Sequence, residues 1–327
     1  MIGKNALLLS AALICGSLTI FPADVSAQRM IKVSPDGSTR DVTQGGETRG
    51  RGRRSRDNSE DGSGVNDGSG SGSGDTESVP HLTYYPTIDP TYTAAQINWA
   101  GRPWRVNSAA TDHPDLPHSL QRSANWERLR FEVRESDPSM GSKPQKRRSE
   151  LSGSIYGDDT RLPNGEVLWG AFSTLHHPWD DPEGMLSTYG AVFGQIHIGS
   201  EVGGSPALAF RRKKNGLFRI TTRGELDDGG SVRYEQPLSW GVPHDIVYRV
   251  VLHPYNGSLR IWLDGVQIVN ISEVSIGHSK ADSYWNVGVY SPGGVTSPVI
   301  MELANHVYPG RTSLLTRTSQ PPAWPND

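Results

Sequence analysis

Cysteine is nearly absent from this chain: the single one in 327 residues is Cys15. It falls inside an N-terminal stretch that reads as an export signal. Lys4 supplies the positive start, an apolar run extends from Ala6 to Phe21, and Val25-Ser26-Ala27 forms a small-residue cleavage site before Gln28. Ser10, Gly16 and Ser17 interrupt the run, which argues against a membrane anchor, and Ile14 fits a lipoprotein cleavage site poorly. The expectation is a signal over residues 1–27, a secreted or periplasmic product, and no stable membrane insertion once the signal is removed. With Cys15 gone, there is no disulfide, no thiolate nucleophile and no cysteine-ligated metal. Charge of one sign is missing as well. The net charge of −3 gives no global basic field, so nucleic acid is not an expected partner.

Large apolar residues are scarce from residue 28 to 79. Arg49 to Arg56 reads RGRGRRSR and Gly62 to Ser78 reads GSGVNDGSGSGSGDTES. Such a stretch cannot bury enough surface to offset its ordering entropy, so a disordered linker is expected there. Its arginine run is read as a solvated tail. Helical periodicity is the next absence. Beyond residue 80 the chain shows short alternating runs instead: LRFEVR (129–134), VFGQIHI (192–198), LAFRR (208–212), LFRIT (217–221), IVYRVVL (246–252), LRIWL (259–263) and YWNVGVY (284–290). Turn signals at Lys214-Asn215-Gly216, Asn256-Gly257 and Asp264-Gly265 punctuate them. LRIWLDGVQIVNI reads as a hairpin around Asp264-Gly265. Many strands with tight turns and no βα alternation predict one all-β domain over residues 80–327, a two-sheet antiparallel β-sandwich of the jelly-roll, concanavalin-like type.

Three segments place polar groups on one strand face. In Arg147-Arg148-Ser149-Glu150-Leu151, period-2 geometry puts Arg148 and Glu150 on the same side. Gln195 and His197 flank Ile196 in the same way. In YWNVGVY, Tyr284, Asn286, Gly288 and Tyr290 share a face, and Trp285, Val287 and Val289 share the other. A face carrying Arg, Gln, His and Tyr is costly to bury and useful as a cleft floor.

In chain order, RSEL, QIH and YWNVGVY resemble the three signature strands of the jelly-roll alginate lyases. The wider pattern over residues 125–308 is similar to the heparin lyase I-like and glucuronan lyase families. The resemblance implies a polysaccharide lyase acting on an anionic, uronate-containing polymer by β-elimination. No cofactor and no metal are expected, and a monomer is expected. Removing the weakly acidic C5 proton requires the neighbouring carboxylate to be neutralised. The resemblance gives that role to Arg148 and Gln195. It gives the acid and base to His197 and Tyr290, and leaves open which is which. Glu150, Tyr284, Asn286, Lys146 and Arg147 are expected at the substrate site, Glu150 by orienting Arg148. Ser152 and Asn286 stand where the alginate lyases carry a second Arg and a Lys. Two cations are therefore missing, which argues for glucuronan or alginate ahead of heparin.

Other features have competing readings. Arg211-Arg212-Lys213-Lys214 is read as a solvated turn, with substrate contact as the alternative. His176-His177-Pro178-Trp179-Asp180-Asp181 is metal-friendly, but Pro178 points to a substrate-lining loop. Trp99 and Trp104 are read as either core or sugar-stacking residues. Asn256-Gly257-Ser258 and Asn270-Ile271-Ser272 match the glycosylation sequon. Glu225-Leu226-Asp227 begins the E-x-D-x-x-E pattern of a sandwich-fold glycoside hydrolase family, but Gly230 replaces its last acid, and Asp228-Gly229-Gly230 reads as a turn. A hydrolase and a non-catalytic lectin-like module remain the alternative functions.

Overall fold

Alternation is the local rule from which the architecture follows. In the computed structural model, residues 31–33, 39–41, 85–86, 96–108, 116–139, 144–154, 161–178, 190–199, 202, 205–213, 216–280 and 283–326 are described. The chain divides into two units, residues 1–74 and 75–327. In the first, β1 (Ile31–Val33) and β2 (Thr39–Asp41) pair antiparallel. The rest of the expected signal and linker lies outside the described residues.

The second unit contains β3 (Tyr85–Pro86), β4 (Gln96–Trp99), β5 (Arg102–Ser108), β6 (Leu120–Arg122), β7 (Arg128–Val133), β8 (Arg147–Ser152), β9 (Val167–His176) and β10 (Ala191–His197). It continues with β11 (Leu208–Arg212), β12 (Leu217–Gly224), β13 (Asp227–Pro237), β14 (Pro243–Val251), β15 (His253–Leu263), β16 (Val266–Ile276), β17 (Tyr284–Ser291) and β18 (Val299–Gly310). They form two eight-stranded antiparallel sheets, ordered β13-β12-β11-β10-β17-β8-β5-β4 and β16-β15-β14-β9-β18-β7-β6-β3. This is the expected two-sheet sandwich of jelly-roll type. Neighbours distant in sequence, such as β10 and β17, lie side by side, which is how separated motifs reach one surface.

The inner faces pack an aromatic core. Phe172 of β9 meets Phe210 of β11 at 5.6 Å and Trp285 of β17 at 5.7 Å between ring centroids. Each such buried ring contributes roughly 1.5–3 kcal/mol by leaving water. Trp99 and Trp104 are 5% and 0% exposed, so both are core residues, and sugar stacking falls away.

Two turn readings are corrected. Asn256-Gly257 makes no hairpin turn but a bulge inside β15, where the pairing with β16 shifts register. The His253 Nδ1 accepts the Tyr255 and Asn256 amides at 3.1 and 2.8 Å, absorbing the extra backbone donors. Asp228-Gly229-Gly230 is part of strand β13, and the turn falls before that strand at Glu225-Leu226. By contrast, Asp264 and Gly265 both take positive φ, 50° and 84°, and close the β15–β16 hairpin as expected.

Candidate active site

The exposed face of the first sheet is organised by register. One row crosses all eight strands: Gln96, Arg105, Ser152, Asn286, Gln195, Ala209, Thr221 and Val232 are successive partners. Partners across adjacent strands point to the same face. Within the sheet, Tyr290 of β17 pairs with Arg148 of β8 on one side and Val192 of β10 on the other. Glu150 pairs with Gly288, and His197 with Tyr284. The β10–β17 pairing shifts register near Gly194, and Gly288 sits in that irregularity with φ +132°. A Cβ there would stand 2.3 Å from the Ser149 carbonyl oxygen, so only glycine lets β8 and β17 close up.

Over this face lies a cleft of about 520 Å³. It runs across the strands, from Lys146 and Arg148 on the β8 side to Val232 of β13. Arg148, Gln195, His197 and Tyr290 all line it. Motifs separated by more than a hundred residues thus meet on three adjacent strands.

Glu150 forms the floor. It is fully buried and accepts a 2.7 Å hydrogen bond from the Gln195 Nε2. Its other oxygen lies 3.0 Å from the Arg148 Nε, close enough for an ion pair although the two are poorly aligned for a hydrogen bond. Burial pushes its carboxyl above the usual range, opposed by the Arg148 charge and the Gln195 bond. Glu150 therefore touches Arg148 and Gln195 from beneath. Arg148 also lies over the Tyr290 ring, 4.5 Å from its centroid.

His197 is half-buried, and its Nδ1–H donates to the Ile198 carbonyl, which can only accept. That fixes the neutral tautomer with the Nε2 lone pair free. Burial, aided by the Arg148 charge, lowers its pKa, so the ring is neutral at neutral pH. Its ring stacks on Tyr284 at 5.2 Å. Burial raises the pKa of Tyr290 and Tyr284, which keeps both phenols protonated. The arrangement offers a neutral imidazole base, a phenol acid and a cation beside an amide donor in one cleft.

The remaining expected residues divide. Lys146 lines the cleft. Asn286 sits in the floor row, 3% exposed, its Oδ1 without a partner among the described residues. Arg147 is not among the lining residues, and its guanidinium is taken up by the carbonyls of Glu135, Pro144 and Lys146. The solvated-turn reading of Arg211 to Lys214 is corrected for its first three residues. Arg211 lines the cleft, Arg212 is 2% exposed against Trp240, and Lys213 is buried. Burial pulls the Arg212 pKa to about 9. Lys214 lies outside the described residues. Arg219 and Arg223 also line the cleft and were not singled out from the sequence. Alternation of Arg219, Thr221 and Arg223 with Phe218, Ile220 and Thr222 was the available signal.

His176 is buried between Phe193 and Trp240, and His177 bonds Glu302 at 2.8 Å. Trp179, Asp180 and Asp181 lie outside the described residues. Among the described residues no group of three His, Asp or Glu side chains is placed to hold a metal. No helix among them is long and apolar enough to cross a membrane. Glu225 is not among the cleft-lining residues; it accepts a hydrogen bond from the Ser279 amide and lies 3.7 Å from His278.

The sequence profile of the polysaccharide lyase family matches residues 109–303, more than half of the chain. The chain belongs to the polysaccharide lyase family. The three site strands β8, β10 and β17 all lie inside the matched region. No curated protein matches this family member closely enough to count as a relative. Among solved structures it is similar to an endo-β-1,4-glucuronan lyase from the fungus Trichoderma reesei, at 16% identity, covering 57% of this chain and 81% of that one, with TM-score 0.42. It is similar to a substrate complex of the family 7 alginate lyase A1-II', at 13% identity over 64% and 93% of the two chains, with TM-score 0.45. A GH131 β-glucanase catalytic domain from Podospora anserina is similar at 14% identity over 61% and 81%, with TM-score 0.41. Likenesses this distant carry no argument about activity.

Proposed function

We propose that this family member is a secreted lyase that cleaves a uronate-containing polysaccharide by β-elimination. The observation that carries the reading is the shared cleft of Arg148, Gln195, His197 and Tyr290 over the buried Glu150. Arg148 and the free N–H of Gln195 take the uronate carboxylate and stabilise the charge that spreads onto it when the C5 proton leaves. His197 Nε2 accepts that proton. Tyr290 gives its phenol proton to O4 as the C4–O4 bond breaks, leaving a C4–C5 double bond. The base is neutral and the acid protonated at the start, as the reaction requires.

Hydrolysis on the same fold would need two carboxylates flanking the scissile bond. The Glu225 motif does not supply them, because Gly230 replaces its last acid and Glu225 is engaged with Ser279 and His278. The missing cations at Ser152 and Asn286 rank glucuronan and alginate ahead of heparin as substrate. Incubating the protein with these three polymers tests the ranking. Faster cleavage of heparin than of either unsulfated polymer contradicts it.

A further inference from the structure

Arg105 was not among the residues that the sequence pattern brought forward. It lies on β5, between the core residues Trp104 and Val106, and its own side chain is exposed on the opposite face. Its partner across β8 is Ser152, and the partner of Ser152 is Asn286. These are the two positions at which a cation was expected and a small neutral side chain is found. Among the described residues, Arg105 has no hydrogen-bond or ion-pair partner. Its place in the row that runs through Ser152, Asn286 and Gln195 puts it on the face that carries the cleft, one strand beyond β8.

The cleft runs across the strands and its lining ends on the β8 side, one strand short of Arg105; a polymer continuing in that direction advances by one strand spacing, roughly 4.8 Å, per sugar. Three spacings separate Gln195 from Arg105 along their common row, about 14 Å. We propose that Arg105 holds a second substrate carboxylate, two to three sugars from the one held by Gln195 and Arg148. One of the two cations missing at Ser152 and Asn286 is thus supplied from the neighbouring strand, which leaves the face one cation short. A planar guanidinium without a partner among the described residues suits a carboxylate in two parallel hydrogen bonds. The consequence is a requirement for uronate at a remote position as well as at the cleavage point. This rests on the uronate reading above.

The test is calorimetric titration of a uronate disaccharide and hexasaccharide, with Tyr290→Phe as the background so that the ligands survive. Arg105→Gln and Arg105→Lys are compared with unsubstituted Arg105, and product absorbance is measured separately on the wild-type protein. Arg105→Gln is expected to reduce the ratio of hexasaccharide to disaccharide affinity about tenfold, and Arg105→Lys less. An unchanged ratio overturns the proposal, whether or not the wild-type protein makes unsaturated ends. A collapsed ratio without unsaturated product sustains the Arg105 contact and refutes the lyase reading. No binding of either oligomer to the Arg105-containing protein overturns both.

Discussion

Gln195 donates to the fully buried carboxylate of Glu150 at 2.7 Å, across the strand that lies between them. The bond fixes which way the amide faces, because an ionised carboxylate only accepts. The same carboxylate faces Arg148 with its other oxygen. Glu150 therefore contacts both groups assigned to the substrate carboxylate, and it is not itself among the cleft-lining residues. Glu150→Gln keeps the volume and removes the charge. It is expected to lower kcat/KM by about 10- to 100-fold, the worth of a bond to a charged group, with the fold retained. Steady-state kinetics beside a circular dichroism melt checks this. An unfolded variant would instead assign Glu150 to stability.

Tyr290→Phe removes one oxygen and keeps the ring that packs under Arg148. If that oxygen protonates the leaving group, kcat falls by roughly 100-fold or more with little change in KM. Arg148→Ala is expected to raise KM and lower kcat together, because the carboxylate it meets is charged before and during the reaction. Initial rates over a substrate series separate the two patterns. A near-normal kcat in Tyr290→Phe would move the acid role to Tyr284.

The sequence made this face legible because its rule is strand alternation. RSEL, QIH and YWNVGVY each announce one polar side, and the fold lays their strands next to one another. Arg105 was hidden because nothing within β5 marks its exposed side as different from any solvated one. Only the pairing of β5 with β8 places it beside Ser152. The bulge at Gly257 was hidden for a related reason. Asn-Gly has the same local chemistry in a turn and in a bulge, and the long-range register with β16 decides between them. Arg212 looked solvated in a run of four cations, yet alternation within β11 sends it and Arg211 to opposite sides.

His306 of β18 accepts a 3.0 Å hydrogen bond from the Trp285 indole, behind the site strand β17. Burial, with Arg102 and Arg317 nearby, holds its pKa down at about 3, against 6.5 for an unperturbed ring. The unfolded chain therefore binds a proton that the folded one refuses between these values. Stability is fully present above about pH 6.5 and falls as pH drops toward 3. Thermal melts across that range should show a declining midpoint, and His306→Phe should flatten the decline. An equally steep decline in the variant would place the acid sensitivity elsewhere.

Gly288→Ala tests the close approach of β8 and β17. The added methyl meets the Ser149 carbonyl oxygen at 2.3 Å, at a φ of +132° that alanine rarely adopts. A loss of about 2–4 kcal/mol in denaturant unfolding is expected. A variant of unchanged stability would mean that the register around Tyr290 is set by something other than this contact.

Elimination as proposed for His197 and Tyr290 leaves a C4–C5 double bond in the product. The most direct measurement is to mix the wild-type protein with glucuronan or alginate and follow the ultraviolet band of the unsaturated uronate together with new reducing ends. Both should rise in equal amounts from the start of the reaction. Reducing ends that appear without the absorbance would show hydrolysis, and binding with neither signal would show a lectin; either result contradicts the elimination assigned to His197 and Tyr290.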